Sequence, residues 1–106
     1  MLIDNATISN IVSKIVSGIL PDKVFLFGSY ASGDANEDSD LDLLIVKDTE
    51  QPRHTRSIEI QRLLIGTKVP VDILVYTIAE FEKEKAIKYS FVNSAIQGAK
   101  LLYEHK

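Results

Sequence analysis

Acidic side chains are concentrated in one short segment of the sequence. Five of them fall within nine residues, namely Asp34, Glu37, Asp38, Asp40 and Asp42. No Lys or Arg occurs between Lys23 and Lys47, so no sequence neighbour offsets the repulsion among these acids. A divalent cation would offset it, and oxygen-only ligands favour Mg²⁺, Mn²⁺ or Ca²⁺ over zinc.

Three acids stand in or beside apolar segments, where a charge is unexpected. Asp40 and Asp42 are two residues apart at the start of one apolar run, so their side chains point to the same side of a strand. Asp72 interrupts a second apolar run, where an unpaired charge costs several kcal/mol. If the two strands are neighbours, the three carboxylates converge and can hold two Mg²⁺ ions around a phosphoryl displacement.

The alternative interpretation is that these acids belong to a solvated loop and to two buried ion pairs. We favour the solvated loop for Asp34, Glu37 and Asp38, which lie in a turn-forming segment. For Asp40, Asp42 and Asp72 we favour the metal site, because charged residues are rarely buried without a partner.

Gly28 and Ser29 directly follow a short apolar run and form a second candidate feature. Glycine permits a positive φ and close approach of a ligand to the backbone. Ser29 is expected to cap a helical turn whose free N–H groups hold phosphate. Gly28 and Gly33 have the spacing of P-loop glycines, but Asp34-Ala35 replaces the Gly-Lys of a Walker A motif, which is therefore excluded. Alone, a Gly-Ser pair is more often an ordinary β-turn.

Apolar spacing predicts the elements that position these residues. Isoleucine and valine at helical intervals predict a helix over roughly 6–19. Short apolar runs predict strands over 24–27, 41–46 and 69–75. With helices between and after the strands, we expect an α/β domain with a small mixed β-sheet of about three to four strands covered by helices. The order and direction of the strands remain open.

The remaining helices are predicted from their capping residues. Pro52 would be the first residue of a helix that ends near Gly66. Thr77 to Glu80 match a capping box, which predicts a short charged helix. Ser90 is expected to cap a last helix, whose apolar residues share one face: Phe91, Val92, Ala95, Ile96 and Ala99. Phe91, Val92 and Ile96 are expected in the core.

Composition excludes several classes of protein. A chain of 106 residues that is 45% hydrophobic and 25% charged predicts one globular domain over 1–106. The absence of cysteine excludes disulfides and thiol catalysis. A net charge of −3 argues against binding to duplex nucleic acid. No apolar run reaches the ~18 residues of a membrane span, and no signal peptide is apparent, so a cytoplasmic protein is expected.

Together, three features resemble the DNA polymerase β-like nucleotidyltransferase superfamily: Gly28-Ser29, the Asp40-x-Asp42 motif after ten intervening residues, and the later strand acid Asp72. The segment from Gly28 to Leu43 is similar to its minimal nucleotidyltransferase (MNT) branch. Those proteins are small, and many act as antitoxins beside a helical HEPN-type toxin. The specific match covers residues 28–46 and the strand around Asp72, and it implies the nucleotidyltransferase fold.

The resemblance also implies roles for these residues. Asp40 and Asp42 would bind both Mg²⁺ ions, or Mn²⁺ in their place, and thereby the triphosphate of ATP. Asp72 would complete the second metal site and orient or deprotonate the attacking hydroxyl. Gly28 and Ser29 would hold the β- and γ-phosphates. The reaction implied is transfer of AMP to a hydroxyl, that of a tyrosine of a HEPN-type toxin.

Two other functions are alternatives to this one. An antitoxin of this size can neutralise its partner by binding alone, without catalysis. Transfer of the nucleotide to a small molecule is a third function, although such enzymes usually need a further domain to hold the acceptor. A domain this small often associates, so a homo-oligomer also stays open.

Overall fold

The chain alternates between helices and strands in a computed structural model that describes residues 2–106. The helices are α1 (Asn5–Ile19), α2 (Ser29–Ser32), α3 (Arg56–Leu63), α4 (Ile78–Lys85) and α5 (Phe91–Ile96). The strands are β1 (Lys23–Phe27), β2 (Leu41–Val46), β3 (Val71–Tyr76) and β4 (Lys100–Glu104). A single 3₁₀ turn, Arg53–Thr55, precedes α3.

The four strands form one mixed sheet in the order β3-β2-β1-β4. Strand β1 is antiparallel to both β2 and β4, whereas β2 and β3 are parallel. Parallel neighbours need a crossover connection, and α3 provides it between β2 and β3. The predicted α/β class with a small mixed sheet is confirmed, and the structure supplies the strand order and directions that the sequence left open.

Helices cover both faces of the sheet. On one face, Leu41, Leu43 and Ile45 of β2 pack with apolar residues of α1 and α3 in the larger core. On the other face, Leu44 and Val46 pack with Phe81 of α4 and Val92 of α5 in a smaller core. Because side chains alternate along a strand, Asp42 lies on the same face as Leu44 and Val46, the face that α4 and α5 cover.

Helix α1 agrees with its predicted bounds to within one residue. Asp4 caps it by accepting a hydrogen bond from the Thr7 amide at 2.8 Å. Its buried side chains follow the predicted periodicity: Ile8, Ile11, Val12, Ile15 and Ile19. Leu20 ends the helix in the left-handed conformation, with φ of 50°.

Two boundaries that were predicted at prolines differ from those in the structure. The third strand begins at Val71 rather than 69, since Pro70 has no N–H to donate to the ladder. Its carbonyl instead accepts a hydrogen bond from the Leu41 amide at 2.9 Å.

Pro52 is not the first helical residue: it precedes the 3₁₀ turn, and α3 starts only at Arg56. Helix α3 ends at Leu63, before Gly66.

The C-terminal part of the chain differs most from the prediction. The last helix ends at Ile96, so Ala99 is not part of it, and residues 100–104 form a strand that the sequence analysis did not predict. Phe91 is 49% exposed and does not belong to the core, whereas Val92 is fully buried. Strand β4 carries a charged residue at each end and depends on pairing with β1, which local sequence does not reveal.

Within residues 2–106, no helix combines the length and the apolar composition that crossing a membrane requires.

Candidate active site

Three of the predicted carboxylates lie at the same end of two neighbouring strands because of the register between β2 and β3. Asp42 is the second residue of β2 and pairs with Asp72, the second residue of β3. In-register residues of neighbouring strands lie about 5 Å apart and face the same side. Asp40 precedes β2 by one residue and is two positions from Asp42. The two strands are therefore neighbours, as the convergence of the three acids requires.

The surroundings at this end of β2 and β3 destabilise negative charge on Asp42. Partial burial raises the pKa of the Asp42 carboxyl, and the nearby carboxylates of Asp72 and Asp40 raise that pKa further. A half-buried acid between like charges is stabilised by any cation that binds beside it. The local charge distribution therefore favours a cation at this position.

The burial of these acids corrects one step of the sequence argument. Asp72 was expected to be a charge inside an apolar strand, but its side chain is exposed. Strand β3 is an outer strand of the sheet, and Asp72 lies near its beginning. Only the later part of β3, which includes Tyr76, packs against α4 and α5. Asp40 is exposed as well, so only Asp42 is half-buried.

The donor set suits a hard cation that keeps other ligands. Among residues 2–106, no group of three or more His, Cys, Asp or Glu side chains is already arranged to hold a metal ion. Mg²⁺ usually binds proteins through one or two carboxylates and completes its shell with water and substrate phosphates. Paired carboxylates without a closed cage fit that mode of binding, and they do not fit a structural site made of protein ligands alone.

Gly28 brings the main chain directly against Asp42. Phe27, the last residue of β1, pairs with Asp42, and Gly28 follows with a φ of 73°. A Cβ at position 28 would collide with Oδ2 of Asp42. Glycine is therefore required here twice, for its backbone conformation and for the space that the carboxylate occupies.

The turn after Gly28 differs in detail from the prediction. Gly28, not Ser29, is the capping residue of α2, and Ser29 is the first residue of the helical turn. The amides of Ala31 and Ser32 donate to the Gly28 carbonyl, both at 3.1 Å. The amides of Ser29 and Tyr30 precede these donors, so they have no partner within the turn.

The turn is also held from outside. The Tyr30 hydroxyl accepts a hydrogen bond from the Ile3 amide at 3.0 Å, which ties α2 to the residue just before the α1 cap. The loop from α2 to β2 is closed by Asn36 and Ser39, whose side chains bond to main-chain amides within the loop. Asp34, Glu37 and Asp38 are exposed in or beside this loop, as the solvated-loop interpretation predicts.

An open cleft of about 410 Å³ adjoins the Gly28 turn and was not anticipated. One wall is the segment from Phe27 to Ser32, and the other consists of α5 and the turn that follows it. The rings of Phe27 and Phe91 meet edge to face, with centroids 5.8 Å apart. No local pattern predicts the cleft, because its two walls are about 60 residues apart in the chain and the second depends on where α5 ends. The exposure of Phe91, which the sequence had placed in the core, is visible only in the structure.

Comparisons with known proteins bear on the family and the fold of this chain. The sequence pattern of the family described as "Nucleotidyltransferase domain" matches residues 6–97. A Methanocaldococcus jannaschii protein provisionally named a protein adenylyltransferase is 40% identical over 83 residues, which are 76% of this chain and 80% of that protein.

Solved structures share the fold. A provisionally assigned nucleotidyltransferase from Sulfolobus solfataricus superposes with a TM-score of 0.66 at 22% identity, covering 94% of this chain and 79% of that one. A tri-AMPylated Shewanella oneidensis HEPN toxin in complex with an MNT antitoxin gives 0.56 at 17% identity, covering 94% and 71%. At these identities the two structures bear on the fold alone. Because the family match spans most of the chain and includes the Gly-Ser and Asp-x-Asp motifs, the chain belongs to the nucleotidyltransferase domain family.

Proposed function

We propose that this protein transfers AMP from ATP to a hydroxyl of a partner protein, a tyrosine of a HEPN-type toxin, and so acts as an antitoxin. The observation that carries the proposal is the register pair Asp42–Asp72 beside Gly28. The relative named a protein adenylyltransferase and the likeness to a complex with an AMPylated HEPN toxin support the choice of donor and acceptor.

Each residue has a role in this proposal. Asp40 and Asp42 would hold Mg²⁺, which would neutralise charge on the triphosphate when bound. The amides of Ser29 and Tyr30, at the Gly28 turn, donate to the β- and γ-phosphates. Asp72 orients the attacking hydroxyl and accepts its proton. The hydroxyl oxygen forms a bond to the α-phosphorus, the bridging oxygen leaves with pyrophosphate, and AMP stays on the acceptor.

The direct test is transfer of label from α-³²P-ATP to a candidate HEPN-type partner in Mg²⁺. We expect labelled partner with the wild-type protein and none with Asp42→Asn. Asp34→Asn is the matched control, because it removes an exposed acid of the same loop region and should leave transfer unchanged. Equal labelling by wild type and Asp42→Asn would contradict the proposal.

A second candidate function is neutralisation by binding alone. It is favoured by the exposure of Asp40 and Asp72, because water alone can stabilise those charges and the fold needs no bound cation there. The double variant Asp40→Asn, Asp42→Asn separates the two functions. If that variant still suppresses the toxicity of the partner in cells, binding is sufficient. If suppression is lost while the complex still forms, catalysis is required.

A further inference from the structure

We infer that the cleft beside Gly28 receives the base of the donor nucleotide, and that Gln97 makes it prefer adenine to guanine. The inference rests on the proposed function, because it assigns the remaining part of the same donor. It gives a role to Gln97, and a second role to Phe91, which the sequence had placed in the core.

The cleft lies next to the carboxylates, because Phe27 and Gly28 border both. Phe27 pairs with Asp42, and Gly28 packs against the Asp42 carboxylate. Both residues also line the cleft. The cleft therefore adjoins the Gly28 turn, and a nucleotide whose phosphates lie at that turn can extend its uncharged part into the cleft.

The chemistry of the cleft suits a flat uncharged ring. Among the described residues, its lining combines aromatic rings, small residues, hydroxyls and one long amide, and includes no charged side chain. Phe91 keeps half of its surface exposed there, although it is large and apolar. Aromatic side chains stack on the π-faces of bases. The cleft volume of about 410 Å³ lies within the range of small-molecule sites.

A chain of hydrogen bonds orients the amide of Gln97. Asn93 donates through Nδ2 to the Lys85 carbonyl at 2.8 Å, which leaves Oδ1 of Asn93 as an acceptor. Gln97 donates to that oxygen through Nε2 at 3.1 Å. Gln97 lines the cleft, and its Oε1 therefore remains available as an acceptor.

An acceptor at this position discriminates between purines. Adenine carries an amino group at ring position 6, which donates to Gln97. Guanine carries a carbonyl oxygen at the same position, so two acceptors would face each other. Leaving polar groups unpaired on both sides weakens binding of the wrong base.

Equilibrium binding of ATP and GTP in Mg²⁺, measured by calorimetry, tests the assignment. We expect wild type to bind ATP about tenfold more tightly than GTP, which corresponds to one hydrogen bond gained or lost. Gln97→Ala should bring the two affinities within about twofold, and Gln97→Lys, which replaces the acceptor by a donor, should favour GTP. Phe91→Ala should weaken both nucleotides by about tenfold and keep their ratio.

Gln61→Ala is the control, since Gln61 is an exposed amide on α3, outside the cleft. It should leave both affinities unchanged. If ATP binds and AMP is transferred but Phe91→Ala and Gln97→Ala change neither affinity, the base assignment is overturned and the proposed function stands. If neither nucleotide binds in Mg²⁺, both are overturned.

Discussion

At position 28, the absence of a Cβ is required both by the backbone conformation and by the geometry of the site. Gly28 adopts a φ of 73°, and the missing Cβ is the space that Oδ2 of Asp42 fills. Gly33 has a similar φ of 87° at the other end of α2, but nothing lies within 4 Å of where its Cβ would be. The two glycines therefore separate the cost of backbone strain from the cost of displacing Asp42.

Gly28→Ala should abolish transfer of AMP, whereas Gly33→Ala should reduce it little. Both substitutions strain the backbone, at about 1–3 kcal/mol each. Only the first forces the Asp42 carboxylate out of position. Labelled-ATP transfer together with urea unfolding measures both effects. Equal activity of the two variants would mean that the contact with Asp42 does not matter.

Like-charge repulsion at the site predicts a trade between stability and activity. Without cations, Asp42→Asn should raise the free energy of unfolding by about 0.5–1 kcal/mol, because the half-buried charge beside Asp72 and Asp40 is removed. The same variant should be inactive. Urea unfolding in the presence of a chelator is the measurement, with Asp34→Asn as the control. A variant less stable than wild type would contradict this account of the site.

At the scale of elements, Glu80 joins the N-terminal end of α4 to that of α3 through Arg56, and it also pairs with Arg53 of the preceding 3₁₀ turn at 3.4 Å. The largely buried Arg56 guanidinium contacts both carboxylate oxygens of Glu80, at 2.6 and 3.2 Å. Glu80 also accepts from the Thr77 amide at 2.9 Å and so completes the capping box of α4. These hydrogen bonds, first of all that from Arg56, lower the pKa of the Glu80 carboxyl to about 2.

Glu80→Gln should remove a pH-dependent part of the stability. Since the folded pKa of about 2 lies below the ordinary value of 4.5, the pair stabilises the fold fully above about pH 4.5. That stabilisation is lost as pH falls towards 2. We expect a loss of about 1–2 kcal/mol at pH 7, after allowance for partial solvent exposure, and a much smaller loss near pH 2.

The measurement is the free energy of unfolding in urea for wild type and Glu80→Gln between pH 2 and 7. Glu82→Gln is the control, because its carboxylate pairs with Lys85 on an exposed helix face. Its effect at pH 7 should be smaller than that of Glu80→Gln. An equal loss at pH 7 would show that the Arg56 contact adds nothing.

The elements that sequence predicted are those whose signals are local. The capping box at Thr77 and Glu80 and the periodicity of α1 are properties of a few consecutive residues, and both were found in place. The Asp-x-Asp motif likewise fixes two side chains on one strand face. Pairing of β4 with β1, and the cleft between α2 and α5, depend on tertiary contacts between distant residues, so no local pattern revealed them.

At the scale of the whole molecule, the sheet separates a large core from a smaller one that borders the site. The larger core, under α1 and α3, contains most of the buried side chains. The smaller core, under α4 and α5, ends where the carboxylates and the cleft begin. We therefore expect global stability to depend mainly on the face away from the site.

Ile60 and Ile65 provide a matched test of the larger core. Ile60 is 1% exposed in the larger core, whereas Ile65, just beyond α3, is 78% exposed. Ile60→Ala should cost about 2–5 kcal/mol of unfolding free energy, because it leaves a cavity. Ile65→Ala should change it by less than about 0.5 kcal/mol. Urea midpoints measure both, and similar losses would contradict the assignment of the core.

The position of β3 at the edge of the sheet also sets how the protein loses activity on warming. Asp72 is carried by a strand with a neighbour on one side only, near its exposed beginning. Edge segments with few buried contacts open locally at lower free energy than the core does. Fraying of this end would separate Asp72 from Asp42 while the helices remain folded. Transfer activity should therefore decline at temperatures below the cooperative melt, in step with faster hydrogen exchange at the first amides of β3.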